Sequence, residues 1–285
     1  MISYPISTEE LKKLIEKALP ETVNRSGSLR LKGRKPWIKR AQVEYQKCVD
    51  AGKFIDNSKS IWNELKPIFG KIQGDGKRVK CAYCERLLPI GRKGKPDGDI
   101  DHFRPKSKYH RLAYSPRNFV LSCRICNQDY KRDAFPINDV KFDGNSENES
   151  ALLIHPLDPN EPRLEEVMGF DGIIIETLNT ANDFVRQRGA KMIEVFDLNG
   201  RDDLRRERAK LLVVIYLSKI APENDSVAKN ILQFASDRFE GHANCALSYL
   251  RLWDFDTKQA KKIGEEADLL LLSLAKYEIA SAPNV

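Results

Sequence analysis

Ser7-Thr8-Glu9-Glu10 places a hydroxyl and a carboxylate three residues apart, just ahead of LKKLIEKAL, whose apolar positions recur at helical spacing. Such a capping box predicts a short amphipathic helix, which Pro20 ends. A second helix is expected over 36–49, with Trp37 packing inward at its start. A third, about 58–73, carries Ile61, Trp62, Leu65, Ile68 and Phe69 as its apolar face and is expected to kink at Pro67. Beyond residue 76 the helical period disappears. Lys80–Tyr83 and Asp99–Phe103 fit short strands around a Pro/Gly-rich loop, followed by a helix from Cys126. A polar linker, NSENES, leads into two β-rich runs, SALLIHP and MGFDGIIIETL, the second with Asp171-Gly172 as a hairpin turn. Helical spacing then returns near 180–197, 202–220, 225–239, 243–253 and 257–280, the last carrying Leu269, Leu270, Leu272, Leu274 and Ile279. The pattern predicts a mostly α protein of the α+β class in three parts: a helical segment 1–75, a compact core 76–140, and a β-hairpin region with helices over 141–285.

A chain of 285 residues is long enough for a sizeable core, as one large or two ordinary domains. Charged residues make up 31%, and the longest apolar run, LLVVIYL at 211–217, is far too short to span a bilayer. The start, MISYPISTEELKK, has no signal-peptide pattern, so a cytoplasmic location is expected. Of six cysteines, four lie in two C-x-x-C units; Cys48 and Cys245 stand alone and read as core fillers. The net charge of +7 is uneven, because residues 76–138 hold fifteen Lys/Arg against six Asp/Glu. A basic face of that kind suits a polyphosphate partner.

The chemistry is concentrated between Cys81 and Pro136. Cys81 with Cys84, and Cys123 with Cys126, are two knuckles that can close one tetrahedral structural Zn²⁺. The thirty-eight residues between them exceed a simple ribbon loop, and they contain Asp101-His102. Asp101 can hold a hard divalent ion through oxygen, and His102 can take a proton from water. In a regular strand these neighbours face opposite sides, so they share a site only where the strand ends, as Pro105 requires. A helix from Cys126 would bring Asn127 back toward Asp101 as a second ligand, with Lys131 a turn further on.

The run D-H-F-x-P-K followed by R-N-F-x-L-S-C-x-x-C-N-x-x-x-K resembles the HNH, or ββα-metal, nuclease superfamily in its zinc-clasped branch. CAYCE, DHFRPKSKY, LSCRICN and AFP are similar to the PtuB-type HNH nucleases of Septu and retron-linked phage-defence systems, a likeness covering roughly residues 60–215. The resemblance implies a ββα core, His102 as general base, Asn118 as the central Asn that fixes the loop and the His orientation, and Asp101 as the metal-binding acid. It makes Asn127 the last letter of an H-N-N motif, where many members carry His and other branches carry Asn. It further implies Mg²⁺ or Mn²⁺ at the catalytic centre, DNA as substrate and a PtuA-type ATPase as partner, with the carboxy-terminal helices as candidate docking surface.

Arg104, Lys106, Lys108 and Lys131 are the cations expected to meet nucleic acid. Arg92, Lys93 and Lys95 fit an ordinary flexible turn equally well. The basic stretch Arg25, Arg30, Lys32, Arg34, Lys35, Lys39 and Arg40 reads as a nucleic-acid arm or as a plain loop into the next helix. His155 and His242 are expected to be structural, and nothing in the spacing of His110 makes it a ligand. Two other readings stay open: a silent zinc module that binds nucleic acid or protein, and a nuclease acting on RNA.

Overall fold

The computed structural model describes residues 2–20, 35–56, 61–91, 94–138, 149–179, 182–238 and 240–281. Arg25, Arg30, Lys32, Arg34, Arg92, Lys93, most of the NSENES linker and the first residues of the 58–73 helix lie outside them. The chain divides into two compact units, one of Ser3–Tyr83 with Leu88–Pro162, the other of Met1–Ile2, Cys84–Leu87 and Arg163–Val285. The mostly α, α+β expectation holds, since among the described residues every sheet has two strands and the remaining regular structure is helical.

In the first unit, α1 (Thr8–Ala18) begins with the expected capping box: Ser7 accepts from the Glu10 N–H, and Glu10 accepts from the Ser7 N–H. The helix α2 (Trp37–Ala51) starts on a fully buried Trp37, whose indole N–H donates to Ile61 O at 2.9 Å. The expected kink at Pro67 takes another form. Ile61–Leu65 is a 3₁₀ turn, and α3 (Lys66–Ile72) begins anew with Pro67 in its first turn, where the missing N–H costs no helical bond.

Strand β1 (Val79–Lys80) pairs with β2 (Leu87–Leu88), so Cys81–Cys84 is a turn between them and not the continuation of a strand through Tyr83. The ββ of the core is instead β3 (Asp99–His102) against β4 (Phe119–Ser122), antiparallel, with Asp101 opposite Val120 and His102 opposite Phe119. A π-wound helix, Ile125–Lys131, follows. Gln73, fully buried at the end of α3, binds this region together: its amide donates to Lys80 O and Leu121 O and accepts from Leu121 N–H. SALLIHP forms no regular strand, only an isolated bridge from Ala151 to Ile137, although Leu153 and Ile154 are buried.

The second unit contains α4 (Leu164–Val167), then β5 (Met168–Asp171) and β6 (Ile174–Thr177), joined across Gly172. Gly172 takes a φ of 57°, the left-handed conformation that the Asp-Gly dipeptide predicts for a hairpin. Helices α5 (Asp183–Val195), α6 (Asp202–Ile220), α7 (Ser226–Ala235), α8 (Ala243–Phe255) and α9 (Thr257–Ser281) follow the predicted order. Their core is Leu212, Ile215, Tyr249, Trp253, Ile263 and several alanines, with Cys245 filling space as expected. No helix among the described residues is long and apolar enough to cross a membrane.

Candidate active site and metal centre

The four Sγ atoms of Cys81, Cys84, Cys123 and Cys126 lie within 4.8 Å of one another, all buried, and form the one such cluster of metal-ligating side chains among the described residues. A tetrahedral Zn²⁺ at about 2.3 Å from each sulfur needs sulfurs about 3.8 Å apart, so the spread suits the ion. The Tyr83 N–H points at Cys81 Sγ (3.5 Å) and the Cys126 N–H at Cys123 Sγ (3.4 Å). Such contacts support thiolates, and the donor set fits zinc.

His102 ends β3 and is 7% exposed. Its ring packs edge-on against Trp62 (5.3 Å between centroids) and Phe119 (5.0 Å). Its Nε2 lies 2.9 Å from Ala113 O; a carbonyl can only accept, so Nε2 carries the proton and Nδ1 the lone pair. Burial pushes the imidazole down to about 4, so it is neutral at cellular pH.

Asp101 is buried beside it. Tyr83 Oη donates to Asp101 Oδ2 at 2.6 Å, and Lys131 Nζ stands 3.1 Å from each carboxylate oxygen. Lys131 is fully buried and also donates to His102 O at 2.7 Å. Asn118 locks the intervening loop: its Oδ1 accepts from Arg104 N–H, and its Nδ2 donates to Arg104 O and Leu112 O. Asn127 meets Asp99 rather than Asp101, through Nδ2 at 3.2 Å to Asp99 Oδ2, with Gln128 Nε2 on the same oxygen. Its amide oxygen, the atom a hard cation takes, is not used in that bond.

The family model of HNH endonucleases matches residues 81–133, the span of this cluster and strand pair. This segment is an HNH domain. The wider chain is 31% identical over 196 residues to the Septu protein PtuB of Bacillus mycoides, a match covering 62% of this chain and 60% of that protein. It is 34% identical over 74 residues to the Septu protein PtuB of Bacillus thuringiensis, covering 26% of this chain and 27% of the relative. It is also 32% identical over 75 residues to protein ea31 of Escherichia phage lambda, covering 24% of this chain and 25% of that one. The chain thus spans less than two thirds of the length of each. No solved structure matches.

The HNH domain places the expected nucleic-acid cations unequally. Lys131 departs from a phosphate-contact role, because it has no exposed surface and is paired to Asp101. Arg104 pairs with buried Glu149 (3.1 Å) and lies over the rings of Tyr109 and Phe135, while Tyr109 Oη also donates to Glu149. Lys106 lies over Phe54 and Trp62, and burial lowers its pKa. Lys108 is exposed, with Nζ on Asp133 O at 3.1 Å. Sequence reasoning missed Tyr83, Asp99, Gln73 and Glu149. Asp99 alone carried a usable signal, since it shares a strand face with Asp101 two residues on. Tyr83, Gln73 and Glu149 each reach a partner far along the chain, 18, 48 and 40 residues away, beyond any local pattern.

Proposed function

We propose that the protein is a metal-dependent endonuclease that hydrolyses phosphodiester bonds of DNA. On this reading it acts in the cytoplasm as the nuclease effector of a phage-defence system, together with an ATPase partner of the PtuA type. The observation that carries the chemistry is His102, neutral, buried, and held by Ala113 O so that Nδ1 keeps its lone pair. Nδ1 accepts a proton from the attacking water. Asn118 keeps the loop that presents Ala113 O in register with β3.

Asp101 and Asn127 are the residues that would hold Mg²⁺ or Mn²⁺, the latter through its amide oxygen, with Asp99 orienting the amide. The bound ion would supply Lewis-acid stabilisation of charge on the scissile phosphate and on the departing 3′ oxygen. Lys131 keeps the buried Asp101 charge balanced. The defence role draws its support from the PtuB likeness, whose 196 residues reach well beyond the 53 of the HNH match. For the ATPase, the exposed Val227, Phe234, Leu269 and Leu272 of the helical unit offer apolar docking positions.

One observation favours a different reading, a silent zinc module: Asp101 is already charge-matched by Lys131, and three of the four expected phosphate contacts are buried or half-buried against internal partners. Incubating purified protein with Mg²⁺ and plasmid, then with RNA, separates the cases. Plasmid cleavage supports the DNA nuclease, cleavage of RNA alone moves the substrate, and no cleavage with retained zinc supports the silent module. Deleting residues 225–285 should weaken capture of the ATPase; undiminished affinity would move docking to the first 75 residues.

A further inference from the structure

Tyr83 sits inside the first zinc knuckle, between Cys81 and Cys84, with its side chain fully buried. Its own N–H is directed at Cys81 Sγ, and the preceding Ala82 N–H donates to Leu121 O at 3.1 Å, so the knuckle backbone is tied both to the sulfurs and to β4. From that fixed base the hydroxyl reaches Asp101 Oδ2 at 2.6 Å.

The other partner of Asp101 cannot do the same work. Lys131 Nζ is 3.1 Å from Oδ1 and 3.1 Å from Oδ2, so the ammonium neutralises the carboxylate without distinguishing its oxygens. The χ2 torsion of an Asp is a broad, roughly two-fold rotor. A single short donor on one oxygen breaks that symmetry, and Tyr83 is the donor placed to do so.

We propose that Tyr83 is a positioning residue that couples the cysteine clasp to the metal-holding carboxylate: the knuckle fixes the tyrosine, and its hydroxyl fixes how Asp101 presents its lone pairs. A phenolic hydroxyl keeps its proton throughout the neutral range, so Tyr83 is the donor in this bond and the Asp101 carboxylate the acceptor. Outer partners of ligating carboxylates commonly change metal affinity by about 10- to 100-fold when removed. The coupling rests on the nuclease reading for the identity of the ion, whereas the Tyr83 to Asp101 bond does not.

The test compares wild type with Tyr83→Phe, which keeps the ring and removes only the donor. Zinc content is measured by elemental analysis, Mn²⁺ binding by the free-ion electron paramagnetic resonance signal, and plasmid cleavage over a Mn²⁺ titration. The expected result is one retained zinc, Mn²⁺ binding about tenfold weaker, and a cleavage rate that recovers at saturating Mn²⁺. Equal Mn²⁺ affinity in the two proteins overturns the proposal, as does a rate loss that saturating metal leaves in place. Wild type that neither binds Mn²⁺ nor cuts would sink the nuclease reading instead, so the two failures are told apart.

Should Tyr83→Phe lose its zinc, wild type alone decides. With ¹¹³Cd on the cysteines, Mg²⁺ at saturation should move the cadmium resonance, because Asp101 and Cys81 are joined through one residue. An unmoved resonance, with Mg²⁺ occupancy established by competition against Mn²⁺, overturns the coupling.

Discussion

Different kinds of contact order the HNH segment and the carboxy-terminal helical unit, each within itself. In the helical unit, α6, α8 and α9 run for 19, 13 and 25 residues and close around Leu212, Ile215, Tyr249, Trp253 and Ile263. These large apolar positions recur at helical spacing within each helix, and burying such a side chain contributes about 1.5 to 3 kcal/mol. The HNH segment has strands of two to four residues and a seven-residue π-wound helix, none able to persist alone. Its order comes from polar side chains buried in pairs: Gln73 on Lys80 and Leu121, Asn118 on Arg104, Lys131 on Asp101, and the cysteine clasp. A periodic core tolerates small losses, whereas a polar network fails when one member is removed.

The strongest way to break this contrast is to open the clasp. Cys123→Ser should abolish zinc binding and unfold the HNH segment, since structural zinc supplies on the order of 10 kcal/mol of folding free energy. Hydrogen exchange should show lost protection over 81–131 and retained protection in the buried turns of α6 and α8. Equal loss in both would mean that the helical unit has no independent stability.

His102→Ala comes next, judged by rate. Loss of a general base costs about a hundred- to ten-thousandfold, roughly 3 to 5 kcal/mol of barrier. Zinc content and substrate binding should remain, and added Mn²⁺ should not restore the rate. By contrast, Asp101→Ala should regain part of its activity at raised Mn²⁺. Plasmid cleavage at near wild-type rate by His102→Ala would exclude the proposed mechanism.

Lys131→Met tests the buried pair by stability. It leaves the Asp101 carboxylate uncompensated at 4% exposure, which typically costs about 3 to 5 kcal/mol. Adding Asp101→Asn should recover a large part of that loss in denaturant unfolding. If the double variant is no more stable than Lys131→Met, the ammonium is not there to balance the carboxylate.

These contrasts also explain what was legible in the sequence. The carboxy-terminal helices could be placed because 3.6-residue spacing and Asp-Gly turn chemistry are local signals, and Asp202–Ile220 was placed to the residue. The zinc cysteines could be read because a ligand spacing is itself a local pattern. The strand pairing could not: β3 finds β4 nearly twenty residues later, with only four residues on each side to signal it. Lys131 and Arg104 were read as phosphate contacts because unpaired cations and buried ion-paired ones look alike in a sequence. Only their partners, Asp101 and Glu149, distinguish them.

Acid should weaken the HNH-bearing unit through His155. The ring is buried against Phe103, its Nδ1 accepts from Leu157 N–H, and burial pushes its pKa down to about 4. Burial is the largest effect; Asp158, the Arg117 backbone and Asp101 favour the charged form, and the Arg117 guanidinium charge opposes it. The unfolded chain protonates this residue near 6.5, so between about 6.5 and 4 the unfolded state binds more protons. Stability is therefore full above that window and falls as the pH drops through it, by up to about 3 kcal/mol. His102, pushed down to about 4 by the same burial, adds a like dependence, so His155→Gln should reduce the slope of urea-measured stability across this window without abolishing it, and an unchanged slope would remove His155 as a cause.

The smallest effect belongs to Lys108, and it separates surface charge from buried charge. Lys108 is exposed and makes one contact to Asp133 O, so Lys108→Ala should leave stability within about 0.5 kcal/mol of wild type. If its ammonium meets a phosphate, DNA binding should weaken uniformly across sequences, and the salt dependence of log K should become shallower by about one unit of slope. Arg104→Ala should do the reverse: it removes the cation paired with Glu149, which is 9% exposed, and leaves the carboxylate charge unmatched beside the Tyr109 hydroxyl, so it lowers stability while leaving the salt slope alone. Binding isotherms at several salt concentrations, paired with urea unfolding, read both quantities for each variant. A shallower salt slope for Arg104→Ala with unchanged stability would mean that its guanidinium leaves Glu149 for phosphate when nucleic acid binds.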